Sequence, residues 1–245
     1  MINDKKFLFE IGDVLTYEKW IAEQSVKNPR TDILKIHPDF ISDNVIKLSR
    51  QFVPIGSVKF IGNYMSHMNI PVPEPIDYPY QLEKYLGRKV RLDYAFNAKP
   101  TDYIKPRGTK EFTCDVKSEV EKTRDLTIEM VWISEPISIN QEWRLYILNG
   151  ELVGWSRYDD NEGDDIQPDF SVVSDMIKDY KNNAPISYTL DLGISDEKTI
   201  LIEVNDMWGT GFYPWGTMTG EKYLECIQAR WFQISGWDES MKFCN

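Results

Sequence analysis

Apolar and polar residues alternate with a period of two through residues 141–148 and again through 151–158, on either side of Asn149-Gly150. Successive side chains of a strand point to opposite faces, so the alternation predicts two half-buried strands. Asn-Gly suits a type I′ turn, whose two central residues need positive φ, and joins them as a two-residue hairpin. A second hairpin is predicted from residues 187–194 and 198–205, with 195–197 as its loop. Runs rich in β-branched and aromatic residues at 101–106, 110–116 and 127–133 predict further strands. Residues 172–181 and 221–234 read as helices, the second closing the chain.

Ahead of residue 98 the pattern mixes short apolar strands with helical stretches. Residues 52–61 read as one strand broken by Pro54 and Gly56. Pro71, Pro73, Pro75 and Pro79 mark an extended segment that crosses the surface or joins two lobes. Residues 80–86 read as a short helix ended by Gly87.

The chain has 245 residues, 42% hydrophobic and 27% charged, a globular profile with room for one or two domains of about 150 residues. Its net charge of −11 disfavours nucleic-acid binding, which requires neutralised phosphates. Cys114, Cys226 and Cys244 form neither a CxxC pair nor an even set, which fits a reducing compartment. The first ten residues lack the long apolar run of a signal peptide, and no run approaches the ~20 residues of a membrane-spanning helix. The expectation is a soluble cytoplasmic protein with no membrane partner.

Three clusters carry possible chemistry. If residues 106–109 form a four-residue loop, Lys105 and Lys110 lie opposite each other across a hairpin. Like charges directly opposite destabilise a sheet, so an anion such as phosphate between them would account for the arrangement. Solvated surface lysines are the plainer alternative.

A two-residue Asn-Gly turn pairs Arg144 with Trp155 and Glu142 with Arg157. Glu142, Arg144 and Arg157 then share one face, with Trp143, Leu145 and Ile147 on the other. Two guanidinium groups beside a carboxylate suit phosphate oxygens and a hydroxyl. The alternative is an exposed ion pair worth ~0–1 kcal/mol.

The strongest cluster is Glu203-Val-Asn205, whose acid and amide point the same way on one strand. A three-residue loop sets Asp191 opposite Leu201, on the face of Glu203 and Asn205. Two carboxylates and an amide oxygen suit Mg²⁺ shared with nucleotide phosphates. Without a cation the carboxylates would repel, and one would take up a proton. A polar outer face on an edge strand is the competing explanation. His37 and His67 are too isolated for a triad or metal site, and no GxSxG, HExxH, Walker A or GxGxxG motif is present. The glycine and aromatic loop 208–215 either faces substrate or caps the core.

Taken in order, Lys105-Pro, Lys110-Glu-Phe, Glu142-Trp-Arg144, Leu190-Asp191 and Glu203-Val-Asn205 resemble the ATP-grasp superfamily of ligases. The pattern is most similar to the bacterial and phage clade named for one conserved arginine and two lysines, over about residues 50–235. The resemblance implies an α+β fold in which two lobes clasp ATP behind a small α/β pre-grasp domain. It places that domain at 1–98 and the grasp at 99–245, with lobes 99–138 and 139–245. It implies that Lys105 and Lys110 contact phosphates and that the backbone of Trp132, Ile133, Ser134 and Glu135 reads the adenine edge. Glu142 would hold the ribose, Arg144 the γ-phosphate or acyl phosphate with Arg157 nearby, and Asp191, Glu203 and Asn205 would hold Mg²⁺. The implied reaction joins a small-molecule or peptide carboxylate to an amine through an acyl phosphate.

Two other readings remain open at the level of sequence. Lys105-Pro-Arg-Gly108 is faintly similar to the Lys-x-Asp-Gly motif of covalent nucleotidyltransferases such as RNA ligases, with Arg107 where the acid belongs. A non-catalytic nucleotide-binding module is the other.

Overall fold

The computed structural model describes residues 6–12, 16–41, 48–107, 112–126 and 128–237. In chain order its first unit contains β1 (Lys6–Glu10), α1 (Tyr17–Gln24), α2 (Pro29–Asp32), β2 (Ile33–Ile36), β3 (Phe52–Ile55) and α3 (Val58–His67). The strands form a parallel sheet in the order β2-β1-β3. The single strand expected at 52–61 is instead a strand and the start of a helix. Ser57 stops the strand and caps α3, its hydroxyl accepting from the Phe60 amide at 3.1 Å. The apolar run then winds, burying Phe60, Ile61, Tyr64 and Met65 on one side.

The proline-marked segment leads into a 3₁₀ turn, Tyr80–Tyr85, and then Gly87. Gly87 has φ 63°, and a Cβ there would lie 2.8 Å from Ile200 Cγ2, so both backbone and space demand glycine.

The second unit contains β4 (Val90–Tyr94), β5 (Tyr103–Pro106), β6 (Asp115–Val116), α4 (Lys117–Val120) and β7 (Met130–Ser134). Its antiparallel sheet runs β4-β7-β5-β6 over a small core of Ala95, Ile104, Val120, Leu126, Val131 and Ile133. Ile104 pairs with Asp115, so the four-residue loop expected after Lys105 is not formed and the connection is longer. Lys110 lies outside the described residues.

The third unit contains β8 (Gln141–Leu148), β9 (Glu151–Arg157), α5 (Phe170–Tyr180), β10 (Ser187–Ser195), β11 (Lys198–Asp206) and α6 (Gly220–Ser235). Its sheet runs β11-β10-β8-β9. Leu145, Ile147, Leu190, Leu192 and Val204 pack with Val173 and Met176 of α5 on one face. Across the other face runs α6, which also belongs to the core of the first unit. Trp231 stacks on Tyr64 at 5.5 Å and donates its indole N–H to the Arg50 carbonyl at 2.7 Å. The first and third units thereby share one core. Among the described residues no helix is long and apolar enough to cross a membrane.

Both hairpins of this sheet carry a bulge. Asn149 and Gly150 have positive φ, 54° and 76°, as the Asn-Gly signal predicts. Ile147 pairs with Leu152 but Tyr146 with Gly154, leaving Val153 unpaired. Arg144 therefore faces Ser156, not Trp155, and Arg157 pairs with Trp143, not Glu142. In the other hairpin the turn has two residues, Asp196 and Glu197, rather than three. Asp191 pairs with Glu203 rather than Leu201, because the shorter turn shifts its partner by one residue and the bulge at Ile202 by one more.

Candidate active site

The site forms where β5 and β7 of the second sheet meet the polar face of β8, β10 and β11. Asp191, 1% exposed, is gripped by a two-pronged Arg144 fork, Nε to Oδ1 at 2.8 Å and Nη2 to Oδ2 at 2.6 Å. They are register partners on β10 and β8, so the fork closes across one rung of the sheet. The Asn205 amide N–H₂ donates to Asp191 Oδ2 at 3.0 Å and to Glu203 Oε1 at 2.9 Å. From the opposite sheet, Lys105 Nζ comes within 2.6 Å of Glu203 Oε2 and also pairs with Asp77.

The electrostatics follow from burial and pairing. Burial pushes the Asp191 carboxyl above its usual range, and the Arg144 fork only partly offsets this. Burial pushes Glu203 up too, but Lys105 and the Asn205 amide outweigh it and hold Glu203 below the ordinary value. Burial works against the Lys105 charge, yet Glu203, Tyr78 and Asp77 together raise its pKa above the lysine range. Glu142 is raised by burial, with a hydrogen bond from Tyr158 opposing the shift.

Of the residues singled out from sequence, Lys105, Arg144, Asp191, Glu203 and Asn205 are brought together. Glu142 stands on the same face as Arg144, two residues along β8. Trp132 is the register partner of Lys105, and Ile133 and Ser134 are buried beyond it in β7 while Glu135 is exposed. Arg157 is not brought in. The one-residue bulge at Val153 turns it to the opposite face, where it pairs with Asp159 at 2.9 Å and Asp165 at 2.9 Å. Tyr158 takes the place expected for Arg157, its ring 5.4 Å from the Arg144 guanidinium.

Three further participants escaped the sequence. Asp77 has no motif around it. Tyr213 belongs to the glycine and aromatic loop 208–215, and its ring lies 5.1 Å from Arg144 and stacks on Tyr158 at 5.3 Å. Arg88 donates Nη1 to the Leu201 carbonyl at 3.1 Å and Nη2 to the Ile202 carbonyl at 3.3 Å, holding the bulge in β11.

Among the described residues, no three His, Cys, Asp or Glu side chains gather as a metal cage. A cation here would rest on two carboxylates and one amide. That donor set fits Mg²⁺, a hard ion that takes one or two carboxylates and completes its shell with water and phosphate oxygens. Asn205 already touches both carboxylates, and a half-turn of its amide directs Oδ1 where Nδ2 now sits.

Beside Arg144 opens a cavity of about 460 Å³, lined by Lys19, Ser57 and Val58 of the first unit and by Gly209, Gly211 and Tyr213. Gly211 of its wall lies next to Arg144, since a Cβ there would be 3.9 Å from Arg144 Nη1. The loop wall is fixed by tyrosine hydroxyls. Tyr146 accepts from the Tyr213 amide at 3.0 Å and donates to the Gly211 carbonyl at 3.1 Å, and Tyr223 donates to the Thr210 carbonyl at 3.0 Å.

A sheet face that carries Arg144, Asp191, Glu203 and Asn205, met by Lys105 from a second sheet, follows the plan of an ATP-grasp protein. The chain belongs to that group: the model of the ATP-grasp domain, family 3 of the clade named for one arginine and two lysines, matches residues 17–234. Among solved structures, D-alanine–D-alanine ligase from Bacillus anthracis is 14% identical, with a TM-score of 0.55 over 95% of this chain and 99% of that one. The ATP-grasp ligase PsnB, solved with a minimal precursor, is 10% identical, with a TM-score of 0.53 over 93% of this chain and 99% of that one. At such identities the likeness is one of fold. A sequence search of curated proteins finds no match.

Proposed function

We propose that the chain is an ATP- and Mg²⁺-dependent ligase that joins a carboxylate to an amine. The carrying observation is the convergence of Arg144, Asp191, Glu203 and Asn205 on one sheet face with Lys105 reaching across from the other lobe. A substrate carboxylate oxygen attacks the γ-phosphorus, the bond to the ADP oxygen breaks, and an acyl phosphate forms. An amine nitrogen then attacks the acyl carbon, inorganic phosphate leaves and the nitrogen loses a proton. Both steps need positioning and charge neutralisation rather than a side-chain nucleophile.

In this reading Lys105 and Lys110 bind phosphate oxygens and the Trp132–Glu135 backbone reads the adenine edge. Glu142 accepts from ribose hydroxyls. Arg144 offers Nη1, which has no acceptor among the described residues, to the transferring phosphoryl group. A bound Mg²⁺ supplies positive charge to the phosphates, with Asp191, Glu203 and Asn205 as its protein ligands. The cavity beside Arg144 holds the acceptor, a small molecule or a peptide end. We propose a pre-grasp unit within residues 1–98 and grasp lobes at 99–138 and 139–245, the first lobe also taking in β4 from before residue 99, which pairs with β7.

Lys105 argues against the covalent-nucleotidyl alternative. Two carboxylates hold its amine protonated, whereas a lysine nucleophile has to shed its proton. ADP release measured across a panel of amino acids and peptides with MgATP tests the proposal. Acceptor-dependent ADP and phosphate support it. A stable protein–AMP adduct, or nucleotide binding with no ADP from any acceptor, overturns it.

A further inference from the structure

Asp77 lies on the proline-marked segment, in none of the named strands or helices, yet is only 6% exposed. Its φ is 51°, the left-handed region that a non-glycine residue enters at some cost. Its carbonyl accepts from the Val204 amide at 2.8 Å, beside Glu203 on β11. Its side chain reaches the other lobe: one oxygen pairs with Lys105 Nζ, and the other accepts from the Trp132 indole N–H at 2.8 Å. Lys105 and Trp132 are direct register partners on β5 and β7. One carboxylate thus holds two neighbouring side chains of the first lobe while its own backbone is tied to the Glu203 strand.

We infer that Asp77 is a positioning residue that aims the Lys105 ammonium at the nucleotide and keeps the two lobes in register while Glu203 changes partners. The inference rests on the nucleotide reading above. An ammonium has three donors, of which Asp77 and Glu203 engage two. Once Glu203 turns to a cation–nucleotide complex, Asp77 keeps one donor and two face the phosphates. The Tyr78 ring, 5.1 Å from Lys105 Nζ and edge-on to Trp132 at 4.8 Å, walls the remaining side. A lysine stem without this tether spreads over many rotamers and must be ordered when nucleotide binds.

The test is a double-mutant cycle read by calorimetric titration of Mg²⁺ with a non-hydrolysable ATP analogue. Asp77→Asn keeps the shape and an acceptor for Trp132 but removes the charge, and is expected to weaken analogue binding about tenfold. In a Lys105→Met background the same change is expected to have no further effect, a result that a merely structural role would not give. Asp77→Glu, which keeps the charge and shifts it by one methylene, guards against a folding defect; a loss of affinity confined to the Lys105 background again supports the assignment. Equal losses in both backgrounds, or unchanged affinity with wild type binding normally, overturn the role of Asp77 alone. Failure of the wild type to bind the analogue overturns the nucleotide reading and this inference with it.

Discussion

Asp191 on β10 and Glu203 on β11 stand directly opposite each other because β11 carries one residue, Ile202, that has no partner. The two-residue turn at Asp196-Glu197 alone would set Asp191 opposite Ile202 and turn Glu203 to the α5 side. The bulge restores the carboxylate pair to one face.

Arg88 holds that bulge through the carbonyls of Leu201 and Ile202, while a bond to the Leu86 carbonyl fixes its own guanidinium. Hydrogen bonds from a charged donor contribute about 1.5–3 kcal/mol each where buried. Arg88→Ala is expected to lower stability by about 2 kcal/mol and to raise the Mg²⁺ concentration needed for half-maximal turnover. Denaturant unfolding and a magnesium titration check it. An unchanged magnesium dependence would show that the bulge persists without the arginine.

Glu203→Ala should abolish Mg²⁺-dependent ADP release while the chain stays folded, since Lys105 retains Asp77 as a partner. Turnover with circular dichroism on the same sample decides the matter. Near-normal turnover refutes the metal role.

Arg144 has two tasks that two substitutions separate. Arg144→Ala removes the donor proposed to meet the phosphoryl group and leaves the Asp191 carboxylate buried without its cation. Single-turnover chemistry is expected to slow by about 10²–10³-fold, and stability to fall by about 3 kcal/mol. Arg144→Lys should recover most of the stability and little of the rate, because an ammonium cannot form the fork. A defect confined to nucleotide affinity would count against the catalytic role.

Asp159 carries a pH signature outside the site. Burial pushes its carboxyl up, but the Arg157 fork and the backbone amides of Glu142 and Asn161 outweigh this and lower its pKa to about 2 from 3.8. The folded state therefore binds fewer protons than the unfolded chain between these values. The stabilisation is complete above 3.8 and is lost as the pH falls toward 2. Unfolding free energies measured from pH 5 to 2 should fall less steeply in Asp159→Asn than in wild type. Parallel curves would show that the pairing contributes nothing to acid stability.

Much of this arrangement is legible from residue patterns. The period-two runs and the Asn-Gly turn locate β8 and β9 to within a residue, and Glu203-Val-Asn205 marks a polar pair on a strand. One further signal lay in Gly154, since an isolated glycine within a strand marks a bulge or a close approach. Here a Cβ would meet Met218 Sδ at 2.8 Å, and the bulge lies beside it. Its effect, the exchange of Arg157 for Tyr158 at the site, needs the actual register. The expected face for Asp191 was correct although both loop length and partner differed, because a shorter turn and an extra residue cancel.

The amino-acid order alone determined the local elements and the chemical types gathered near each strand, because periodicity and turn chemistry act over a few residues. Only the tertiary structure decided which of those groups meet. Bulges reset faces one residue at a time, and contacts such as Asp77 with Lys105 and Trp132 join segments 28 and 55 positions apart that no local pattern relates.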